Sequence, residues 1–283
     1  MKTIAVISGK GGTGKTVVTG SLAALADKKI MVDCDVDAAD LYLLLHPTVK
    51  ERNEFRSGKT AVIDKKLCSQ CGKCIVACRF EAIKPDFTIE SFSCEGCALC
   101  SHICPHGAIR MEENIAGEWF VSDTKYGPFV HAKLGIAEEN SGKLVAKIRQ
   151  VAKELAQKNG LEYVIIDGPP GIGCPVIASL SGVDCALIVT EPTLSGLHDA
   201  RRVIEVARHF NIPVKLVVNK YDINIDMTGQ IESFCKESAI PVIGKIPFDK
   251  VIVESMVRGK TIVEHTNGCV KKELLKIWNT LKA

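Results

Sequence analysis

This 283-residue sequence is short of three things. It has no apolar run near the ~18 residues that a membrane-spanning helix needs, so no integral membrane segment is expected. Its formal net charge is only +3, too small a surplus to argue for nucleic acid or an acidic membrane surface. The stretch Met1 to Ser8 is too brief for a signal-peptide core and runs straight into glycines. Together these absences lead to the expectation of a soluble, cytoplasmic chain. What is present is ordinary for a globular protein: 46% hydrophobic and 24% charged residues. At a soft prior of ~150 residues per domain, the length suggests about two domains.

Cysteine is the exception to this ordinary composition. There are 13, and eight of them lie between Cys68 and Cys104. Nothing signals export, and in a reducing compartment such density reads as metal ligation rather than disulfides. The spacing is regular. Cys68, Cys71, Cys74 and Cys78 form a C-x2-C-x2-C-x3-C run that continues to Ala82-Ile83; Cys94, Cys97, Cys100 and Cys104 repeat it, continuing to Ala108-Ile109. That is the run of the bacterial ferredoxins, and two copies predict two [4Fe–4S] clusters. In such folds the fourth cysteine of each run serves the other cluster. One set is therefore Cys68, Cys71, Cys74 and Cys104; the second is Cys94, Cys97, Cys100 and Cys78. Zinc is the competing reading, since C-x2-C pairs also build zinc sites. Four cysteines in each compact run, repeated with pseudo-symmetry, argue for clusters. Cys104 is followed by Pro105 as the motif expects, whereas Cys78 is followed by Arg79, read as a surface arginine.

Outside this block the sequence alternates. Apolar strands are expected at Thr3–Ile7, Ile30–Asp33, Tyr163–Asp167, Ala186–Val189 and Val214–Val218, with a further candidate at Pro241–Ile243. Helices are expected at Lys15–Ala26 and Lys143–Lys158, the latter with Leu144, Ile148, Val151 and Leu155 on one face. Alternation of this kind predicts an α/β fold, a mostly parallel sheet covered by helices on both faces. The cysteine block interrupts it as an inserted bacterial-type ferredoxin domain at 58–113, between parts of one domain at 1–57 and 114–283. The insert has little apolar sequence, so metal clusters are expected to hold it together.

The glycines after the first strand carry the second chemistry. Gly9-Lys10-Gly11-Gly12-Thr13-Gly14-Lys15-Thr16 satisfies G-x-x-x-x-G-K-[ST] between a strand and a helix. Its backbone N–H groups would cradle phosphate oxygens at a helix N-terminus. Lys15 would face the β- and γ-phosphates, and the Thr16 hydroxyl would ligate Mg²⁺. Asp167, ending a strand before Gly168-Pro169-Pro170-Gly171, would hold Mg²⁺ through water. Asn219-Lys220-Tyr221-Asp222 follows another strand and should meet the base. Asn-Lys-x-Asp is also how GTPases grip guanine, so this motif leaves ATP and GTP both open.

Lys10, directly after the first glycine, makes this the deviant form of the phosphate loop. With it the chain resembles the MinD/Mrp superfamily of P-loop ATPases, which includes the nitrogenase iron protein. The likeness extends to Gly117-Glu118-Trp119 with Tyr126-Gly127, to Glu139 through Lys143, to Asp167 through Pro175, and to Glu191 through Gly196. The resemblance implies an ATP-dependent homodimer in which Lys10 reaches the partner's nucleotide. It implies that Asp35 orients the attacking water, with Asp33 and Asp37 behind it, and that Asn219 contacts adenine; the deviant loop favours ATP. The function expected is an ATPase, turning ATP into ADP and phosphate, coupled to two [4Fe–4S] clusters for electron transfer or metallocofactor assembly with a redox or assembly partner protein. A regulatory or positioning ATPase with structural or redox-sensing clusters is the alternative. A third reading, an iron–sulfur carrier, lacks the late C-x2-C pair of the Mrp group. Cys174 stands seven residues past Asp167, as a cluster cysteine does in the nitrogenase iron protein. No second cysteine lies between Cys104 and Cys174, so a small buried thiol is the favoured reading. Cys185 and Cys235 are read as core residues. Val270 to Leu281 is amphipathic, and is read as a helix closing on the sheet rather than a membrane anchor.

Overall fold

The computed structural model describes residues 1–135 and 141–283. Of the quoted stretches, Glu139 and Asn140 lie outside the described residues. In chain order the elements are β1 (Lys2–Ser8), α1 (Lys15–Leu25), β2 (Lys29–Asp33), α2 (Tyr42–Leu45), β3 (Thr48–Ile63), α3 (Lys73–Ala77), α4 (Leu99–Ile103), β4 (Ile109–Thr124) and β5 (Gly127–Leu134). They continue as α5 (Ser141–Lys158), β6 (Tyr163–Pro170), α6 (Cys174–Leu180), β7 (Cys185–Thr190), α7 (Leu194–His209), β8 (Val214–Asn219), α8 (Ile225–Glu237), β9 (Val242–Ile246), α9 (Lys250–Val257), α10 (Ile262–His265) and α11 (Cys269–Lys282).

The chain divides into two compact units. The larger comprises Met1–Asn53, Trp119–Lys133 and Ser141–Ala283. Its strands run in the order β5-β2-β6-β1-β7-β8-β9. β1 pairs in parallel with β6 and β7, and β2 in parallel with β5 and β6. Ile4, Ala5, Val6 and Ile7 have no solvent contact, as expected of a central strand covered on both faces, and this explains why its sequence is a continuous apolar run. α5 buries Leu144, Val145, Ile148, Ala152 and Ala156, so its apolar stripe follows the helical period. α11 buries Val270, Leu274, Ile277, Trp278 and Leu281 and packs on β9. The final amphipathic helix is therefore a closing element of the core.

The smaller unit comprises 54–118 and, of the remaining described residues, Leu134 and Gly135. Its buried core is slight: Ala61, Cys74, Ile83 and Ile109, with Ile63, Ile75, Phe87, Ile89, Met111 and four more cysteines packed against them. α3 packs on α4, so the two cysteine runs face each other. Gly96 has φ +65°, and a Cβ there would stand 2.4 Å from the Lys59 carbonyl oxygen. Only glycine lets the second run approach β3 so closely.

Candidate functional site

In the larger unit, the C-terminal edge of the parallel sheet collects the polar groups. In open α/β sheets ligands bind outside this edge. The loop after β1, the Asp33 end of β2, Asp167 in β6, Glu191 after β7 and Asn219 at the end of β8 all belong to it. A cavity of about 540 Å³ opens there, lined among others by Gly11 to Val17, Asp35, Asp40, Asn219 and Lys220, and on its apolar side by Leu43, Phe248, Ile252, Val253 and Met256.

The phosphate loop has the shape its sequence predicts. Gly14 sits in the left-handed region at φ 88° and opens α1. A Cβ on Gly14 would lie 2.2 Å from Asn219 Nδ2, while Cβ atoms on Gly11 and Gly12 would meet nothing within 4 Å. The loop is thus tight against β8 and open toward the cavity. The Thr13 hydroxyl is buried without a hydrogen-bond partner among the described residues. A buried polar atom of this kind asks for a ligand oxygen, and with the open glycines it fits a bound phosphate chain.

Lys15 is 6% exposed, and its Nζ lies 3.0 Å from Asp167 Oδ1 and 3.8 Å from Asp35 Oδ2. Burial alone would lower its pKa, but the charges of Asp167, Asp33 and Asp35 outweigh that and hold the ammonium above its ordinary value. Asp33 is fully buried, and burial with the neighbouring Asp167 pushes its carboxyl well up. Its oxygens accept the N–H groups of Asp35 and Leu41 at 3.0 and 3.2 Å, fixing the segment after β2. Burial and Asp167 raise Asp35 to about 6 despite Lys15.

The structure thus brings Lys15, Asp35 and Asp167 together, with Thr16 and Asp35 on the cavity wall. Lys10 lies elsewhere. Its Nζ is 2.7 Å from Glu191 Oε1 and donates to Ser195 Oγ at 2.9 Å, within its own chain. Glu191 Oε2 also pairs with Lys220 at 3.0 Å. Asn219 and Asp222 serve as braces here. Asn219 Nδ2 donates to the Thr13 carbonyl at 2.7 Å, and Asp222 Oδ1 accepts the Phe248 N–H at 2.7 Å.

Two participants escaped the sequence reading. The Thr19 hydroxyl lies 2.8 Å from Asp167 Oδ1 and 3.1 Å from the Lys15 carbonyl oxygen, sharing its one hydrogen between them; its position one helical turn after Lys15 was the available signal. Glu191 belongs to no motif of its own in the sequence, although an acid at the end of a parallel strand stands where such sites form. Cys174 is exposed at the start of α6, which corrects the expectation of a buried thiol: α6 begins at the surface rather than in the core. Cys269 is exposed as well, while Cys34, Cys185 and Cys235 are buried.

In the smaller unit the eight cysteines line two cavities. One is lined by Cys68, Cys71, Cys74 and Cys104 with Ser69, Lys73, Phe87, Pro105, His106 and Ile109. The other is lined by Cys78, Cys94, Cys97 and Cys100, with Phe80, Ile83, Ile89, Glu95, Leu99 and Met111 among its walls. Among the described residues no three His, Cys, Asp or Glu side chains converge as a site for one metal ion. Each cavity is lined by four cysteines, a soft donor set whose chemistry fits an iron–sulfur cube.

A parallel sheet with a glycine loop after its first strand, a buried lysine and a strand-borne aspartate defines a P-loop nucleotide-binding protein. More narrowly, the chain belongs to the CobQ/CobB/MinD/ParA nucleotide binding domain family, whose description matches residues 4–262. It is 35% identical to the uncharacterized protein MJ0578 of Methanocaldococcus jannaschii over 99% of this chain and 96% of that one. It is 26% identical to the septum site-determining protein MinD of Synechocystis sp., over 92% of this chain and 81% of that one. The cell division ATPase MinD of Pyrococcus furiosus shares its fold at TM-score 0.62 and 19% identity, covering 99% of this chain and 98% of that one. No helix among the described residues is long and apolar enough to cross a membrane.

Proposed function

We propose that this protein is an ATPase whose nucleotide state is coupled to two [4Fe–4S] clusters, and that it delivers electrons to a partner protein or to a metallocofactor under assembly. The observation that carries this reading is the pair of four-cysteine cavities, each lined by the crossed set that a two-cluster ferredoxin requires. Cys68, Cys71, Cys74 and Cys104 would hold one cluster, and Cys78, Cys94, Cys97 and Cys100 the other. When bound, the clusters supply one-electron transfer. The domains in this reading are 1–57 and 114–283 for the nucleotide and 58–113 for the clusters.

The nucleotide chemistry falls to the residues of the larger unit. The loop from Gly9 to Thr16 binds the phosphates, and Lys15 neutralises charge on the β- and γ-phosphates. Thr16 and Asp167 would hold Mg²⁺. Asp35, raised toward neutrality, orients the attacking water and accepts its proton. Asp222 accepts the Phe248 N–H through one oxygen, which leaves its other oxygen free for a base; the deviant loop with Lys10 is what favours ATP over GTP. Lys10 leaves Glu191 to reach the nucleotide of a second copy, forming the ATP-dependent homodimer.

The reading is tested by redox titration of the loaded protein with and without a non-hydrolysable ATP analogue. If ATP shifts a cluster potential, reduction must change ATP affinity by the same free energy, typically about 1–3 kcal/mol. The expected result is a shift of some tens of millivolts or more, at about 59 mV per tenfold for one electron. If neither quantity moves, a second reading takes over: a positioning or regulatory ATPase with structural or redox-sensing clusters. The likeness to the Synechocystis MinD across most of the chain favours that alternative.

A further inference from the structure

The two cysteine runs are pseudo-symmetric, so equivalent positions can be compared directly. Ser69 of the first run corresponds to Glu95 of the second, and Lys73 corresponds to Leu99. All four line their cavities. At matched positions, one cavity therefore has a cation and a hydroxyl where the other has an apolar side chain and an anion. Each set has one exposed cysteine, Cys71 and Cys97, and the first also has a buried one, Cys74, so solvent access gives the first no advantage in taking up an electron.

Net charge and hydrogen bonds to sulfur are among the levers that set a cluster's potential. A reduced cluster carries one more negative charge, so cations and donors favour reduction and anions oppose it. The first set has a donor as well as charge: the Ala108 N–H lies 3.3 Å from Cys104 Sγ. Arg79 adjoins Cys78 in sequence but does not line that cavity.

We propose that the cluster held by Cys68, Cys71, Cys74 and Cys104 has the more positive reduction potential, and that Lys73 and Glu95 set the gap. This rests on the two-cluster reading above. An electron placed on either cluster then comes to rest on the first. The second is oxidised by one electron and the first reduced by one, with no outside oxidant. The pair has a fixed internal direction, from the Glu95 cavity to the Lys73 cavity.

The test uses the full chain, loaded anaerobically, with iron and sulfide assayed on every sample. Potentials are followed by electron paramagnetic resonance for the wild type, Lys73→Gln and Glu95→Gln. Both side chains are exposed, so both variants should fold and load. Two separate potentials are expected. Lys73→Gln should lower the upper one by about threefold in the one-electron equilibrium, ~28 mV at about 59 mV per tenfold, and leave the lower in place. Glu95→Gln should raise the lower by a similar amount and leave the upper in place. Coincident potentials, or a Lys73→Gln effect on the lower potential or on neither, would overturn the ordering alone. Wild-type iron and sulfide far below about eight of each per chain would overturn the two-cluster reading and the ordering with it.

Discussion

Asp33 and Asp167 are direct partners on the neighbouring parallel strands β2 and β6, two carboxylates buried side by side. Lys15 stands against Asp167, so one ammonium faces two aspartates and Asp35 beyond them. The Lys15–Asp167 pair is nearly devoid of solvent. Breaking a buried pair on one side costs about 3–5 kcal/mol, because the remaining charge is left without compensation. Lys15→Ala should therefore lower nucleotide-free stability by about that amount in denaturant titration, and should also abolish nucleotide binding in a fluorescent-nucleotide assay. Unchanged stability would show that the pair contributes nothing to the nucleotide-free fold.

Asp35 gives a pH dependence with a definite sign. Its folded-state pKa is about 6, above the ordinary 3.8. Below the ordinary value both folded and unfolded chains hold the proton, and Asp35 costs nothing. Between about 4 and 6 only the folded chain keeps it, so stability falls as pH rises. Asp35→Asn should flatten this part of the profile, measured as Tm at pH 4 through 7 for variant and wild type. The same variant should bind ATP and hydrolyse it about 100-fold or more slowly, the usual loss when a general base is removed. An unchanged kcat would show that Asp35 takes no part in hydrolysis.

Lys10 and Glu191 form a partly exposed pair, worth about 0–1 kcal/mol. Releasing Lys10 should be inexpensive. Glu191→Gln should lower the ATP concentration for half-maximal dimerisation by up to about fivefold, the factor equal to ~1 kcal/mol, read by light scattering. Lys10→Ala should bind nucleotide as the wild type does while losing turnover and the ATP-dependent dimer. A Lys10→Ala protein with full turnover would remove the role across the dimer.

The cysteine cavities should be filled in protein purified without oxygen. The chain should be brown, with about eight iron and eight sulfide. Stoichiometric zinc without sulfide would replace the clusters with zinc sites. Cys174→Ser should leave iron content unchanged, since Cys174 lines neither cavity.

What the sequence displayed depended on how local the signal was. The phosphate loop and both cysteine runs are contiguous, so spacing alone exposed them. β1 and β6 were legible because strands buried on both faces read as unbroken apolar runs. β3 was not. Most of its sixteen residues are exposed or half-buried, and Lys50-Glu51-Arg52-Asn53-Glu54 carries no apolar alternation. The engagement of Lys10 by Glu191 joins positions 181 residues apart, which only the fold reveals. Asn219 and Asp222 were recognisable as a motif, but their hydrogen bonds to Thr13 and Phe248 depend on β8 lying beside the loop.

The strand order also fixes a schedule. The neighbours of β1 are β6 and β7, which begin at Tyr163 and Cys185. During synthesis the phosphate loop therefore leaves the ribosome long before any strand exists to flank it. Residues 17–163 must come first, and at about 5–20 residues per second they take roughly 7–29 s. Within that interval the cysteine-rich segment, which draws its core from residues 61–111, has emerged whole. The nascent chain can close its thiol-lined unit before the sheet around its phosphate loop can begin to form.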